Sequence, residues 1–305
     1  MITIIDIGCR YGVFHMFKHC YEKFRYIGVD ADSSEINRLN KKYKGKNILF
    51  ESAFLSSRKG AITFIEAEHK GYSSSKKMNT NSLWFGLVRN NEVGIKKQIE
   101  IESQISGDWI DANTKTNLLL KLDIEGGELD FLDGLDNRHY NKIEGFVVEA
   151  HFDTPYDTDS NFSTIYNRLQ KNGYWLASAE IESEKVTKFS ELKDTIPICS
   201  TAIFLKERYK PFLFDSEDID VICEVLYSLR LEALLLEYCR QLGYAKLKEL
   251  EIFYEIKYLI GHKFNRLNKD ISFDFDELNR EFLIMFDEEL PKLSDFYESD
   301  FFNPV

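Results

Sequence analysis

Cysteine and proline are both scarce in this sequence. Five of the 305 residues are proline and five are cysteine. The cysteines are scattered, contain no CxxC pair and are odd in number, which argues against a zinc-finger spacing and against a complete disulfide framework. We therefore expect reduced thiols in a cytoplasmic protein. They are Cys9, Cys20, Cys199, Cys223 and Cys239.

Hydrophobic segments long enough to cross a membrane are also missing. A spanning helix needs about 20 mostly apolar residues, and the longest apolar stretch, Leu231 to Leu236, is interrupted by Glu232. The first six residues contain neither a basic region nor a small-residue cleavage site, so they do not resemble a signal peptide. The sequence predicts no membrane span.

An excess of positive charge is absent as well. The chain has 39 Lys plus Arg against 51 Asp plus Glu, a net charge of −12. The segment from Phe212 to Val305 has 10 basic and 21 acidic residues and so accounts for −11 of that total. Binding to a phosphate backbone would lack its main electrostatic source. We therefore exclude nucleic acid as a partner.

What the chain does contain, over its first 205 residues, is an alternation of apolar runs and amphipathic stretches. Strands separated by helices indicate βαβ crossovers and a parallel sheet, and therefore an α/β fold. The predicted strands are Ile2–Ile7, Arg25–Val29, Asn47–Phe50, Asn117–Leu122, Gly145–Glu149 and Ala202–Leu205. The predicted helices are Val13–Lys23, Ser34–Tyr43, Gly126–Leu132 and Phe162–Asn172.

Two regions depart from this alternation. Ala61–Ile65 and Gln98–Glu102 have the pattern of exposed strands, and the polar stretch from Gly71 to Asn91 between them could cover an acceptor site. Beyond Pro211 the apolar spacing becomes helical, with one face running from Ile219 to Ala233.

The helical pattern of the C-terminal region continues to about Leu290. Further helices are predicted around Leu247–Tyr258 and Phe275–Leu290, with Gly243 as a C-cap between the first two. We predict a domain over residues 1–210 and an all-helical appendage over residues 211–305. The appendage would pack on the first domain or form a homodimer contact.

The first strand runs into a glycine-containing turn, Ile4-Ile5-Asp6-Ile7-Gly8-Cys9-Arg10-Tyr11-Gly12. Glycine after a strand permits a sharp turn and a close approach to a ligand, although such turns are also common in structural roles. The next strand ends at Asp30, 24 residues after Asp6, where a Rossmann-type unit places the acid that binds ribose hydroxyls. Asp30 could instead cap the following helix, but Asp32 or Ser33 can do so.

The most specific motif lies in the middle of the chain and reads Leu120-Lys121-Leu122-Asp123-Ile124-Glu125-Gly126-Gly127-Glu128, followed by Leu132-Asp133-Gly134. It resembles the Lys-x-Asp-x-Glu-Gly-x-Glu block of the FkbM-type methyltransferases. The similarity covers about residues 2–205. It is supported by Asp6-Ile7-Gly8, Gly12, Gly28-Val29-Asp30, Ala53, Gly60, Ser73-Ser74-Ser75 and the strand ending Glu149-Ala150-His151.

The resemblance implies a Rossmann-like class I methyltransferase sheet with S-adenosylmethionine as cofactor, and O-methylation, often of sugars or polyketides, as the usual reaction. It also implies roles for individual residues. Asp6, Gly8 and Gly12 would surround the methionine part of the cofactor, and Asp30 would bind its ribose. Ser52 and Ala53 would lie beside the adenine, although packing alone would equally explain Ala53.

Ionisable residues follow two predicted strands: Asp123 and Glu125 the first, Glu149 and His151 the second. Ligands bind at the carboxyl ends of parallel strands, so these side chains could face one cleft. His151 could be the general base, with Asp123 and Glu149 orienting it and Glu125 contacting substrate. Asp123, Glu149 and His151 could instead bind Mg²⁺ or Mn²⁺.

A purely structural interpretation of the same residues also stays open. Glu125 and Glu128 could be acids in the first turn of a helix, favoured by its dipole. Lys121 lies inside a buried strand and needs an acidic partner, which could be Glu149 or another carboxylate. If Lys121 engaged Glu149, the metal hypothesis would weaken.

The acceptor is the least determined part of the prediction. Tyr72 and Trp84 could stack on a sugar or a base, and Lys76 could bind a diphosphate. We predict O-methylation of a sugar hydroxyl, on a sugar or sugar nucleotide of bacterial capsule or lipopolysaccharide biosynthesis. The alternatives are O-methylation of a non-sugar natural product and a non-catalytic scaffold of polysaccharide assembly.

Overall fold

The computed structural model describes residues 2–87, 94–185, 195–211, residue 213 and residues 218–242. The chain divides into two compact units, Met1–Asp215 and Ser216–Val305. The division falls five residues beyond the boundary expected after residue 210.

Seven strands of the first unit form the main sheet. They are β1 (Thr3–Ile7), β2 (Arg25–Asp30), β3 (Ile48–Ser52), β7 (Leu118–Leu122), β8 (Ile143–His151), β9 (Tyr174–Lys185) and β10 (Thr195–Lys206). Their order is β3-β2-β1-β7-β8-β10-β9. The five strands from β3 to β8 are parallel, whereas β10 is antiparallel to both of its neighbours. The predicted parallel, Rossmann-like sheet is confirmed.

Apolar residues explain why the central strands pair. All five residues of β1 and of β7 are buried, and most are Ile or Leu, as expected for strands covered on both faces. Asp6 in β1 and Lys121 in β7 are the charged exceptions, and the register places them side by side.

A second sheet is inserted between β3 and β7. Its strands are β4 (Phe54–Ser56), β5 (Gly60–Ala67) and β6 (Ile95–Ile105), in the order β4-β6-β5. The two predicted exposed strands therefore form, and both are longer than expected. The polar stretch between them contains a 3₁₀ turn at Lys70–Tyr72 and the short helix α2 (Leu83–Leu87).

The remaining helices of the first unit are α1 (Ser33–Lys42), α3 (Ser106–Asn113), α4 (Glu128–Asp133), α5 (Asn137–Lys142) and α6 (Phe162–Lys171). Asp32 caps α1 by accepting hydrogen bonds from the backbone of Ser34 and Glu35, so Asp30 is not needed as a cap. The predicted helix Val13–Lys23 is wrong. Gly12 has φ +103° and Phe14 has ψ 139°, so only a 3₁₀ turn forms, at His15–Phe17.

The described part of the second unit contains α7 (Ile219–Ser228) and α8 (Glu232–Leu242). The single helical face predicted from Ile219 to Ala233 is interrupted, because Arg230 adopts φ 53° and ends the first helix. Gly243 and the helices predicted after it lie outside the described residues. Within the described residues, no helix combines the length and the apolar character needed to span a membrane.

Candidate active site

The site lies where the strand order reverses. β2 and β3 are on one side of β1, and β7 and the strands after it are on the other. Ligands of open α/β sheets bind at such a point, outside the carboxyl ends of the strands. A cavity of about 260 Å³ opens there, and its lining includes the turn after β1, the ends of β2 and β8, the loop after β7 and residues of the inserted segment.

Gly8 brings the turn after β1 against the loop after β7. It has φ +85°, and a Cβ atom there would lie 1.8 Å from the carbonyl oxygen of Asp123. A larger residue therefore does not fit, and the backbone of Gly8 lines the cavity. Gly12 also has positive φ, but it faces Tyr43 and Leu39 and is not part of the lining.

Asp30 lies at the end of β2 with its side chain in the cavity wall. Its carboxylate accepts a hydrogen bond from the backbone N–H of Asp32 at 2.8 Å and lies 3.5 Å from the guanidinium of Arg10. Burial raises the pKa of Asp30, although Arg10 opposes the shift. Additional hydrogen-bond donors, such as ribose hydroxyls, would stabilise the carboxylate.

Ala53 and Ser52, predicted beside the adenine, have different positions. Ala53 lines the cavity and donates its backbone N–H to the carbonyl of Asp30 at 3.2 Å. Ser52 is exposed and does not line the cavity.

Asp6 is fully buried and lies beneath the cavity rather than in its lining. It accepts a hydrogen bond from the Tyr26 hydroxyl, and its other oxygen lies 3.1 Å from Lys121 Nζ. Lys121 Nζ also donates to Asp123 Oδ2 at 3.0 Å. Burial opposes the charge on Lys121, but the two carboxylates outweigh burial and raise its pKa. The acidic partners that Lys121 requires are therefore Asp6 and Asp123, which leaves Glu149 available.

The loop after β7 carries Asp123 and Glu125 into the cavity. Asp123 is 27% exposed at its side chain. Glu125 adopts φ 55° and accepts a hydrogen bond of 2.6 Å from the Tyr156 hydroxyl. Burial and the nearby carboxylate of Asp123 raise the pKa of Glu125.

Glu128 stabilises this loop from within the protein. One carboxylate oxygen accepts backbone N–H groups of Ile124 and Gly126, and the other accepts the Ser160 hydroxyl. Glu128 does lie in the first turn of α4, as the structural interpretation had it, but it is buried and hydrogen-bonded to the loop.

The end of β8 contributes Glu149 to the cavity, whereas His151 is not among the lining residues. Burial and Asp123 raise the pKa of Glu149 to about 8. Burial lowers the pKa of His151 to about 4, against an opposing effect of Asp123. The His151 ring packs edge-on against Trp84. The predicted base is therefore buried beside Trp84 and is not part of the cavity lining.

The predicted Mg²⁺ or Mn²⁺ site is not formed by the expected residues. Among the described residues, three potential ligand side chains have donor atoms within 4.8 Å of one another, and they are Glu149, His151 and Cys199. Asp123 is not in this group and is paired with Lys121 instead.

Of the four residues predicted to bind substrate, Glu125 and Tyr72 line the cavity and Trp84 and Lys76 do not. Tyr72 lines the cavity, and the buried Trp84 packs behind it with ring centroids 5.1 Å apart. Lys76 lies outside the cavity and forms an ion pair of 2.6 Å with Asp130.

A comparison with known families matches the Methyltransferase FkbM domain over residues 6–176, which is more than half of the chain and includes Asp30, the block from Leu120 to Glu128 and the strand that ends at His151. The chain belongs to the FkbM methyltransferase family. S-adenosylmethionine is the methyl donor expected for this family. Gly8, Asp30 and Ala53 lie in the wall of one cavity and fit it, because a close backbone approach and a ribose-binding acid are what this cofactor requires.

Individual proteins are similar to this FkbM protein over a short stretch or at low identity. "Methyltransferase 1" of Beauveria bassiana (strain ARSEF 2860) is 38% identical over 65 residues, which are 21% of this chain and 24% of the relative. The aligned part thus spans about a quarter of the relative's length. TehB from Haemophilus influenzae is a similar solved structure, with a TM-score of 0.35 and 10% identity over 67% of this chain and 57% of that one. M. jannaschii TYW2 in complex with AdoMet has a TM-score of 0.31 and 10% identity over 67% and 68% of the two chains.

Several residues of the FkbM site have no clear signal in the sequence. Arg10 pairs with Asp30 and Asp32, and Lys70 of the inserted segment reaches Asp32 at 2.9 Å. Arg10 could have been found, because in Gly8-Cys9-Arg10-Tyr11-Gly12 it occupies the central position of a Gly-x-Gly-x-Gly pattern. Lys70 and Tyr156 contact the site through partners that are 31 to 84 positions away in the chain. No local sequence pattern reveals such contacts.

Proposed function

We propose that this FkbM methyltransferase transfers a methyl group from S-adenosylmethionine to a hydroxyl group of a sugar. The supporting observation is the chemistry at the two ends of one cavity. One end contains Gly8, Asp30 and Ala53, which suit the cofactor. The other contains the carboxyl groups of Asp123, Glu125 and Glu149 beside the ring of Tyr72.

Carboxyl groups and an aromatic ring are suited to a sugar. Carboxylate oxygens accept hydrogen bonds from hydroxyl groups, and an aromatic ring can cover the apolar face of a pyranose. Burial near Asp123 raises the pKa of Glu125, so in its neutral form Glu125 can also donate a hydrogen bond. Such a group can bind a sugar hydroxyl as donor or as acceptor.

We assign the acceptor proton to Asp123. This residue faces the cavity and forms an ion pair with Lys121, so it is available as a carboxylate. The acceptor oxygen attacks the methyl carbon as the bond from carbon to sulfur breaks, and the hydroxyl proton moves to Asp123. S-adenosylmethionine supplies the methyl group and leaves as S-adenosylhomocysteine. Alignment of the reacting atoms can lower the barrier by several kcal/mol.

The positions of the two positively charged side chains in the cavity lining, Arg10 and Lys70, favour a neutral sugar as the acceptor within the cavity. Arg10 and Lys70 both line it, and both are paired with Asp32 at the cofactor end. A nucleotide-linked sugar would have to place its diphosphate outside the cavity.

The cofactor part of the proposal is tested by calorimetric titration with S-adenosylhomocysteine. Asp30→Ala should weaken binding about 10- to 100-fold, because a charged hydrogen-bond acceptor for the ribose is lost. Asp32→Ala is the control. It removes the cap of α1 and should lower stability by about 1 kcal/mol with a smaller effect on affinity. Equal affinity of Asp30→Ala and wild type would remove Asp30 from the ribose site.

The acceptor part requires a separate screen. Purified protein and labelled S-adenosylmethionine would be offered to free sugars, sugar nucleotides and non-sugar alcohols or phenols. Transfer to a sugar hydroxyl is expected. Transfer confined to the non-sugar compounds, or cofactor binding without transfer to any sugar, would contradict the proposed acceptor.

A further inference from the structure

We propose that Glu149, His151 and Cys199 form a binding site for a divalent transition metal, most suitably zinc. The site goes beyond the proposed methyl transfer and differs from the metal site expected from the sequence. Cys199 takes the place of Asp123, and the inclusion of sulfur changes the class of metal.

The pairing of two strands brings these side chains together. β8 and β10 are antiparallel, with Cys199 directly opposite His151 and Thr201 opposite Glu149. Residues two apart on a strand point to the same face, so Glu149 and His151 share one side of β8. The donor atoms of all three ligands lie within 4.8 Å of one another.

Within the described residues, the ligand atoms of two of the three side chains form no hydrogen bond. His151 is 8% exposed, and within the described part of the chain neither of its ring nitrogens forms a hydrogen bond. The carboxyl group of Glu149 likewise has no hydrogen bond to the described residues. A bound cation would give the ligand atoms of both side chains a partner.

The donor set identifies the kind of metal. Mg²⁺ and Ca²⁺ prefer oxygen ligands, whereas a combination of thiolate, imidazole and carboxylate suits zinc and similar transition metals. Three protein ligands leave one position open, as in catalytic zinc sites. Zinc forms bonds of about 2.0–2.3 Å, so binding would draw the three donors closer together.

The surroundings agree with a cation at this position. Glu182 lies on β9 opposite Cys199, and its Oε2 atom accepts a hydrogen bond of 3.6 Å from the Cys199 thiol, so it adds a further acidic group. Glu149 also lines the cavity, so the metal would adjoin the end assigned to the acceptor. A hydroxyl bound at the open position would lose its proton more readily.

The test uses Co²⁺ as a spectroscopic substitute for zinc. The full, untagged chain is treated with a chelator and titrated with Co²⁺. We expect one equivalent to bind with the intense near-ultraviolet absorption of a thiolate–cobalt bond, and Zn²⁺ to displace it. Failure to bind a stoichiometric amount of either metal would overturn the proposal.

Variants assign the ligands. Cys199→Ser should abolish the thiolate absorption. It should also weaken metal affinity by more than about 100-fold, because losing a residue that only hydrogen-bonds to a ligand already costs about 10- to 100-fold. Cys20→Ser, at another buried thiol, is the matched control and should behave as wild type. His151→Gln should retain the thiolate absorption but bind Co²⁺ more weakly than wild type. This variant tests the ligand assignment if Cys199→Ser does not fold. Thiolate absorption that survives in a folded Cys199→Ser variant would exclude this site.

The same chelated protein is titrated with S-adenosylhomocysteine. Binding of S-adenosylhomocysteine without uptake of metal would reject the metal site while leaving the proposed methyl transfer intact. Uptake of metal without binding of S-adenosylhomocysteine would support the metal site and contradict the proposed methyl transfer.

Discussion

The two ends of the cavity are built in different ways. The cofactor end takes Gly8, Arg10 and Asp30 from the first 30 residues, in two adjacent parallel strands and the turn between them. The acceptor end combines Tyr72, Glu125 and Glu149 from three distant parts of the chain. The first end is thus specified mostly within the first 53 residues, with Lys70 added from the inserted segment. The second exists only after the inserted sheet and the loop after β7 have come together.

Contacts across the acceptor end show this dependence directly. The Tyr156 hydroxyl donates to Glu125 and lies 3.3 Å from the carbonyl oxygen of Tyr72, 84 positions away in the chain. The Ser74 hydroxyl donates to the carbonyl of Glu125 at 2.6 Å. Changes at the cofactor end should therefore affect cofactor affinity, and changes at the acceptor end should affect turnover or acceptor affinity.

The largest effect is expected from Gly8→Ala, which breaks the contact between the two ends. The new Cβ would lie 1.8 Å from the Asp123 carbonyl oxygen at φ +85°. We expect loss of detectable S-adenosylhomocysteine binding and a fall of about 3 kcal/mol or more in the free energy of unfolding. Calorimetry and denaturant unfolding would measure the two effects.

Gly45→Ala is the matched control for that substitution. Gly45 has almost the same φ, +86°, but nothing lies within 4 Å of its hypothetical Cβ. It should cost about 1–2 kcal/mol from backbone strain alone and leave cofactor binding intact. If both variants behaved alike, backbone strain rather than close approach would explain the requirement for Gly8.

Asp123→Asn should come second in size and separate chemistry from binding. Loss of the proposed proton acceptor should lower turnover about 10²- to 10⁴-fold. Affinity for S-adenosylhomocysteine should change little. Asp130→Asn removes a carboxylate that is paired with Lys76 outside the cavity and should retain activity. Wild-type turnover in folded Asp123→Asn would exclude Asp123 as the base.

The sequence was sufficient to predict the parts of the molecule that depend on neighbouring residues. The apolar runs predicted the central strands, and the spacing from Asp6 to Asp30 predicted which acid lies in the cavity wall. A local pattern did not reveal that Asp6 would be buried against Lys121, because that pairing depends on the register of β1 and β7.

The acceptor end could be predicted only in part, because it depends on contacts between residues that are distant in the chain. Glu149 and Tyr72 do line the cavity, but the sequence pattern did not show that Trp84 would pack behind Tyr72 or that Lys76 would pair with Asp130. Glu149 and His151 are two residues apart on β8 and share one face of the strand. The pattern did not indicate how deep His151 would lie, or that Cys199 of an antiparallel neighbour would be opposite it.

The smallest effect is expected from Tyr156→Phe, which tests the long-range construction of the acceptor end. It removes one hydroxyl and its hydrogen bond of 2.6 Å to Glu125. The Michaelis constant for the acceptor should rise about two- to tenfold, because a typical hydrogen bond contributes about 0.5–1.5 kcal/mol. Tyr174→Phe also removes a buried hydroxyl, which bonds the carbonyls of Tyr140 and Ile143, and it should reduce stability without changing that constant. If Tyr156→Phe reduced stability alone, Tyr156 would support the fold rather than position Glu125 for the acceptor.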